Sequence, residues 1–239
     1  MCTVVLLLRP GHAWPVILVA NRDERVDRAW DPPAAHWPDH PGVAAGRDRT
    51  AGGTWMGLNR HGVTAAVLNR QGSLGPAAGK RSRGELPLMA LDHATAQEGV
   101  RAIVGLNAGE WRGFNLVLAD RTGAFFIRGA GHGRPSAHAL PPGVSMITAH
   151  DPNDLDSPRV ARHLPRFRNA AAPEPAHWDA WRAILSDQSG PAGEQINVEP
   201  HGGFGTVCSS LLAIPAAGDP VWLFAAGAPR AADFLPVHF

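Results

Sequence analysis

At 239 residues the chain is long enough for one large domain with a sizeable core, and 44% hydrophobic against 18% charged residues excludes disorder along its whole length. A formal charge of +1 with no basic cluster gives nucleic acid no footing, and two cysteines, Cys2 and Cys208, make neither a disulfide framework nor a CxxC metal motif. No apolar stretch is long enough to span a bilayer, and Val4–Leu8 lacks the length and basic flank of a signal peptide, so a cytoplasmic protein without integral membrane association is expected.

In chain order, Thr3–Leu8 and Val16–Ala20 are β-rich runs on either side of a Pro/Gly turn. Residues 28–51, rich in Pro, Asp and His, are expected as an ordered surface loop. Thr54–Leu58 and Val63–Leu68 flank Asn59-Arg60-His61-Gly62, a hairpin turn ending on the residue that tolerates positive φ. Gly84–Pro87 leads into a short apolar helix ending near His93. Thr95 with Glu98 then forms a capping box ahead of Val100, Ile103 and Val104. A further hairpin joins Asn115–Ala119 to Ala124–Arg128, and 129–143 is expected as a shorter loop. Ser157 and Pro158 read as N-cap and first helical position before the stripe Val160, Leu164, Phe167; Trp178, Trp181 and Leu185 mark another helix. Val207–Ile214 and Val221–Ala225 close the chain as strands. This order predicts an α+β fold with helices outside antiparallel sheets, in a single domain over 1–239; periodicity leaves the number of sheets open.

Chemistry concentrates at the start. A second residue as small as Cys commonly follows removal of the initiator Met, which would leave a thiol and a free α-amine on one residue. The amine, with a reference pKa of about 7.7–8.0, is matched to take the proton of a thiol near about 8.5. The other reading of Cys2 is a small residue opening a strand. Asn21-Arg22-Asp23-Glu24 follows a buried strand that a hairpin returns beside Cys2. Arg22 and Asp23 are there either to orient the amine and bind an acidic group or as an ion pair on a solvated turn. His36 and His40 flank Pro38 and do not make a helical metal pair, and residues 151–156 lack the glycine and glutamate of a calcium loop, so no metal site is expected.

Met1-Cys2-Thr3, Asn21-Arg22-Asp23-Glu24, Gly52-Gly53-Thr54-Trp55-Met56-Gly57, Asn69, Arg83-Gly84-Glu85-Leu86, Gly113-Phe114-Asn115-Leu116 and Gly205-Thr206 together resemble the NRDE family. Its eukaryotic members are called transport and Golgi organisation proteins. The resemblance implies the N-terminal-nucleophile hydrolase fold, a four-layer αββα sandwich of two antiparallel sheets between helix layers. It also implies kinship with cysteine acylases that cleave amides of bile acids and penicillins. On that basis Cys2 is the nucleophile, Arg22 and Asp23 the supporting pair, and Asn69, at a strand end, either an oxyanion donor or a turn residue. Asn21, Glu24 and Trp55, from the same blocks, are assigned to substrate binding. The acylases run Arg-Asn-x-Asp where this chain runs Asn-Arg-Asp-Glu, which leaves the register of the pair open. Eukaryotic members carry an Arg after the Gly-Thr pair where this chain has Val207-Cys208-Ser209-Ser210; Cys208 is read as a buried structural thiol.

The expected function is hydrolysis of a non-peptide carbon–nitrogen bond in a small acyl compound through a Cys2 thioester, with no metal or organic cofactor. The alternative is a non-catalytic carrier on the same fold, with haem or an acyl lipid as its ligand. Expected partners are accordingly a small acyl substrate or a lipid-like ligand, in an oligomeric state the sequence leaves open.

Overall fold

The computed structural model describes residues 2–238; Met1, whose removal the terminal-amine chemistry requires, lies outside the described residues. Strands β1 (Thr3–Leu8), β2 (Val16–Arg25), β3 (Trp30–Ala34), β4 (Val43–Asp48), β5 (Thr54–Asn59) and β6 (Thr64–Asn69) come first. Helices α1 (Glu85–Leu91) and α2 (Ala96–Val104) precede β7 (Phe114–Asp120), β8 (Gly123–Gly129), β9 (Ser136–Ala139) and β10 (Gly143–Ile147). Then follow α3 (Pro158–Asn169), α4 (Asp179–Leu185), β11 (Phe204–Ile214), β12 (Val221–Ala225) and β13 (Leu235–Pro236). The chain folds as two compact units, one formed by residues up to Arg28 with Pro141–Val237, the other by Ala29–Leu140. Each holds one sheet with antiparallel pairing throughout, so the α+β class is as the element order indicates.

In the first unit the strand order is β10-β1-β2-β11-β12-β13. Alternation along β1, β2 and β11 sends Val5, Leu7, Ile17, Val19, Leu211 and Ala213 to one face, where they pack with α3 and α4. Phe167 of α3 meets Trp181 of α4 edge-on, ring centroids 4.9 Å apart. The α3 start is as its sequence dictates: Ser157 Oγ accepts from the Val160 amide, and Pro158 occupies a position whose missing N–H costs nothing.

The second unit carries the order β3-β4-β5-β6-β7-β8-β9. Ala45, Val63, Ala65, Leu116 and Leu118 pack with Leu86 and Leu91 of α1 and with Val100 and Ile103 of α2. The capping box is formed, and Asp120 Oδ2 of β7 accepts from the Ala96 amide at 2.7 Å, tying the first turn of α2 to the sheet. Two motif glycines are explained by close approach. A Cβ on Gly53 would lie 2.4 Å from the Gly84 carbonyl carbon, and the Thr54 amide donates to that carbonyl's oxygen at 2.9 Å.

Three expectations change. Residues 28–51 hold β3 and β4, because the short run Val43–Ala45 is buried and pairs with β5 despite its Pro- and Asp-rich flanks. Pro32 and Pro33 are accommodated because β3 is an edge strand, where a missing N–H breaks no ladder on the outer side. The 129–143 stretch likewise contributes β9 as the other edge. Finally, β2 does not stop at Ala20 but runs through Arg25, so the four polar residues sit inside the sheet between β1 and β11. Among the described residues no helix is long and apolar enough to cross a membrane.

Candidate active site

The polar end of β2 is buried: Asn21, Arg22 and Asp23 are all nearly inaccessible, while Glu24 is half-buried. Strand alternation therefore decides what each can touch. Asn21 and Asp23 share the face of Ile17 and Val19, toward α3 and α4; Arg22 and Glu24 take the opposite face.

Asn21 is fully engaged within the fold. Its Nδ2 donates to the carbonyls of Leu185 and Ile196 at 3.0 and 2.9 Å, and its Oδ1 accepts from Ser209 Oγ at 2.7 Å. Asp23 is the centre of a second buried network. Arg159 Nη1 of α3 donates to Asp23 Oδ2 at 3.0 Å and to Thr3 Oγ1 at 3.0 Å, while Thr206 Oγ1 of β11 donates to Asp23 Oδ1 at 2.6 Å. The same Thr206 hydroxyl accepts from the Val198 amide at 2.8 Å. This is possible because β11 carries a bulge: Thr206 pairs with Asp23 and Cys208 with Arg22, leaving Val207 as the extra residue. Thr206 thus faces α3, and Cys208 lies beside Arg22 on the other face.

Cys2 precedes β1, and its thiol donates to the main-chain carbonyl of Asp23 at 3.6 Å. Burial pushes this thiol above its ordinary range; the Asp23 charge acts in the same direction and Arg22 opposes both. At neutral pH Cys2 is therefore a protonated thiol, half-buried, that needs a base before it can attack. Cys208 is also pushed up, chiefly by burial, and is inert in its apolar strand. Arg22 Nη2 stands 3.8 Å from Glu24 Oε2, and Arg28 Nε reaches the same carboxylate oxygen at 3.7 Å.

Asn69 and Trp55 belong to the second unit. Asn69 ends β6, half-buried, opposite Phe114 of β7. Next to it, Arg70 Nη1 donates to Asn115 Oδ1 at 2.6 Å, which engages the motif residue Asn115. Trp55 meets Trp30 edge-on at 5.8 Å and packs where a Cβ on Gly46 would come within 2.2 Å of its ring. Among the described residues no group of three or more His, Cys, Asp or Glu is placed to hold a metal. His40 Nδ1 pairs with Asp92 at 2.7 Å, and His36 Nε2 with the Pro32 carbonyl at 2.7 Å. Asn153, at φ 61, holds the 151–156 turn by accepting from the Met146 amide through Oδ1.

Sequence reasoning overlooked Arg159 and gave Thr206 no role. Arg159 is one of several arginines in α3 and looks like part of its solvated face. Its signal was positional: 159 and 163 border the stripe of Val160, Leu164 and Phe167, and both are buried.

Comparison with solved structures shows a fold shared with acylases and amidases of the N-terminal-nucleophile hydrolase fold. Penicillin V acylase from Agrobacterium tumefaciens superposes with a TM-score of 0.61 at 14% identity, covering 100% of this chain and 86% of the acylase. An N-acylethanolamine-hydrolyzing acid amidase orthologue from Caenorhabditis elegans gives 0.62 at 13% identity, covering 91% and 94% respectively. The C2A mutant of conjugated bile acid hydrolase from Clostridium perfringens gives 0.53 at 9% identity, covering 100% and 97%. At these identities the likeness is one of fold. Within that fold the chain belongs to the Transport and Golgi organisation 2 family, whose model matches residues 1–222. The human Transport and Golgi organization protein 2 homolog is 30% identical over 155 residues, 60% of this chain and 55% of the human protein. The Bos taurus homolog is 31% identical over 132 residues, 50% and 45% respectively, so the match spans about half the length of these relatives.

Proposed function

We propose that this protein is an N-terminal cysteine hydrolase that cleaves a non-peptide amide bond of a small acyl compound. The observation that carries the reading is the Cys2 thiol, half-buried just ahead of β1, bonded to the Asp23 carbonyl of β2 and within the field of Arg22. The fold shared with acylases and amidases supports it.

After removal of Met1, the α-amine of Cys2 takes the thiol proton, directly or through water. Sγ then attacks the amide carbon, and the carbon–nitrogen bond breaks as the ammonium returns that proton to the departing amine. The resulting thioester is attacked by water, which gives up a proton to the amine, and the acid leaves as the thiol reforms. Arg22 is suited to an acidic group on the substrate.

Intact mass, before and after incubation with a panel of activated acyl esters and amides, tests the reading. Loss of Met1 and a single acyl adduct that is absent in Cys2→Ala but retained in Cys208→Ala are expected. A mature terminus that never acylates would overturn the reading in favour of a non-catalytic carrier of haem or acyl lipid, to be followed by ligand titration.

A further inference from the structure

The Asp23 carboxylate is held on the helix face of the sheet, Oδ2 by Arg159 and Oδ1 by Thr206. What reaches Cys2 is the Asp23 carbonyl and the carboxylate's field. Both depend on how the side chain is held. Thr206 supplies one neutral hydrogen bond and Arg159 a positive charge at 3.0 Å, its side chain 4% exposed against 0% for Asp23. The same Nη1 bonds Thr3, the residue next to Cys2, so one guanidinium nitrogen ties α3 to both strands that carry the site.

We infer that Arg159 is a positioning residue for Cys2: it anchors Asp23 and Thr3 together and offsets the Asp23 charge, so that the thiol faces a fixed carbonyl and a balanced carboxylate. The inference rests on Cys2 as the reacting group. The charged and titratable groups that act on the thiol are Asp23 and Arg22 from β2, the chain's α-amine and Cys208 from β11; Arg159 from α3 acts on the Asp23 carboxylate. Removing Arg159 takes away a cation 3.0 Å from a carboxylate buried inside the sheet.

The test is the pH dependence of Cys2 alkylation by iodoacetamide, followed by intact mass and located by peptide fragmentation. This readout requires no hydrolase activity, and a purely structural side chain would not move it. In Arg159→Gln the midpoint should rise by about half a pH unit or more, which slows alkylation at pH 8 about threefold, because loss of the bonded cation leaves the Asp23 charge less offset and so opposes thiolate formation. Arg159→Lys, which keeps the charge, should restore the midpoint most of the way. Asp23→Asn/Arg159→Gln, with both charges gone, should alkylate with a midpoint at or below wild type, and it keeps the test available if Arg159→Gln alone does not fold. An unmoved midpoint in folded Arg159→Gln, or a double variant whose midpoint lies above wild type, would overturn the inference. Alkylation that follows the predicted order without any acyl adduct would sustain the positioning role while removing the hydrolase reading; acylation without the order would do the reverse.

Discussion

Replacing Asn21 by Ala removes a clamp rather than a surface group. Its amide fills three buried bonds of 3.0, 2.9 and 2.7 Å, to the Leu185 and Ile196 carbonyls and from the Ser209 hydroxyl. Each contributes about 1 kcal/mol net, and the groups left behind lose partners in a site without solvent, so a total loss of about 3–4 kcal/mol is expected. For a chain of this size that corresponds to a fall in Tm of about 10 °C. Thermal melts followed by circular dichroism, with urea titrations alongside, measure the loss. Hydrogen exchange should show the early unprotection confined to α4 and the segment 186–198, which the two carbonyl bonds tie to β2. A loss below about 1 kcal/mol, in the range of an ordinary surface substitution, would refute the clamp and return the Asn21 amide to the substrate.

The two adjacent glycines of the Gly52-Gly53 pair should separate cleanly. Gly53→Ala places a Cβ 2.4 Å from the Gly84 backbone and should cost about 2–3 kcal/mol in urea titrations, whereas Gly52→Ala meets nothing within 4 Å and carries only the strain of φ 76, about 1 kcal/mol. His163 should make stability fall with acid. It is buried, and desolvation lowers its pKa from 6.5 to about 4, with its Nδ1 receiving Arg166 and its Nε2 donating to the Glu194 carbonyl. The unfolded chain therefore binds the proton first as pH drops below 6.5, and about 2 kcal/mol is lost by pH 5, with the loss levelling off below pH 4. Urea midpoints at pH 7 and pH 5 should show that difference in wild type and not in His163→Gln; an equal acid loss in both would place the titrating group elsewhere.

Local rules carried the helices and most hairpins because those elements are decided by neighbours in sequence. The Thr95–Glu98 box, the Ser157-Pro158 start and the Asn59–Gly62 turn are each complete within a few residues. The edge strands β3 and β9 were not legible, since their evidence is a partner strand rather than their own composition: Ser136–Ala139 is exposed throughout and is a strand only by pairing with β8. Asn21-Arg22-Asp23-Glu24 was visible as a motif, but its extended, buried conformation depends on β11, nearly two hundred residues away. For the same reason the Arg159–Asp23 pair could not be read from spacing: the position of 159 beside the buried stripe marks the arginine, but α3 and β2 meet only through the fold.

The extra residue in β11 has a consequence for how this sheet tolerates change. With Val207 looped out, Thr206 and Cys208 point to opposite sides, so the residue that grips Asp23 and the residue beside Arg22 answer to separate demands. The side chain at 208 takes no part in the hydrogen bond that Thr206 makes to Asp23. Deleting a single residue there would force the two roles onto one side chain, whereas exchanging the side chain at 208 would retune the surroundings of Arg22 alone. The bulge turns one strand into two independently adjustable instruments, and related chains that differ in ligand should differ at 208 long before they differ at 206.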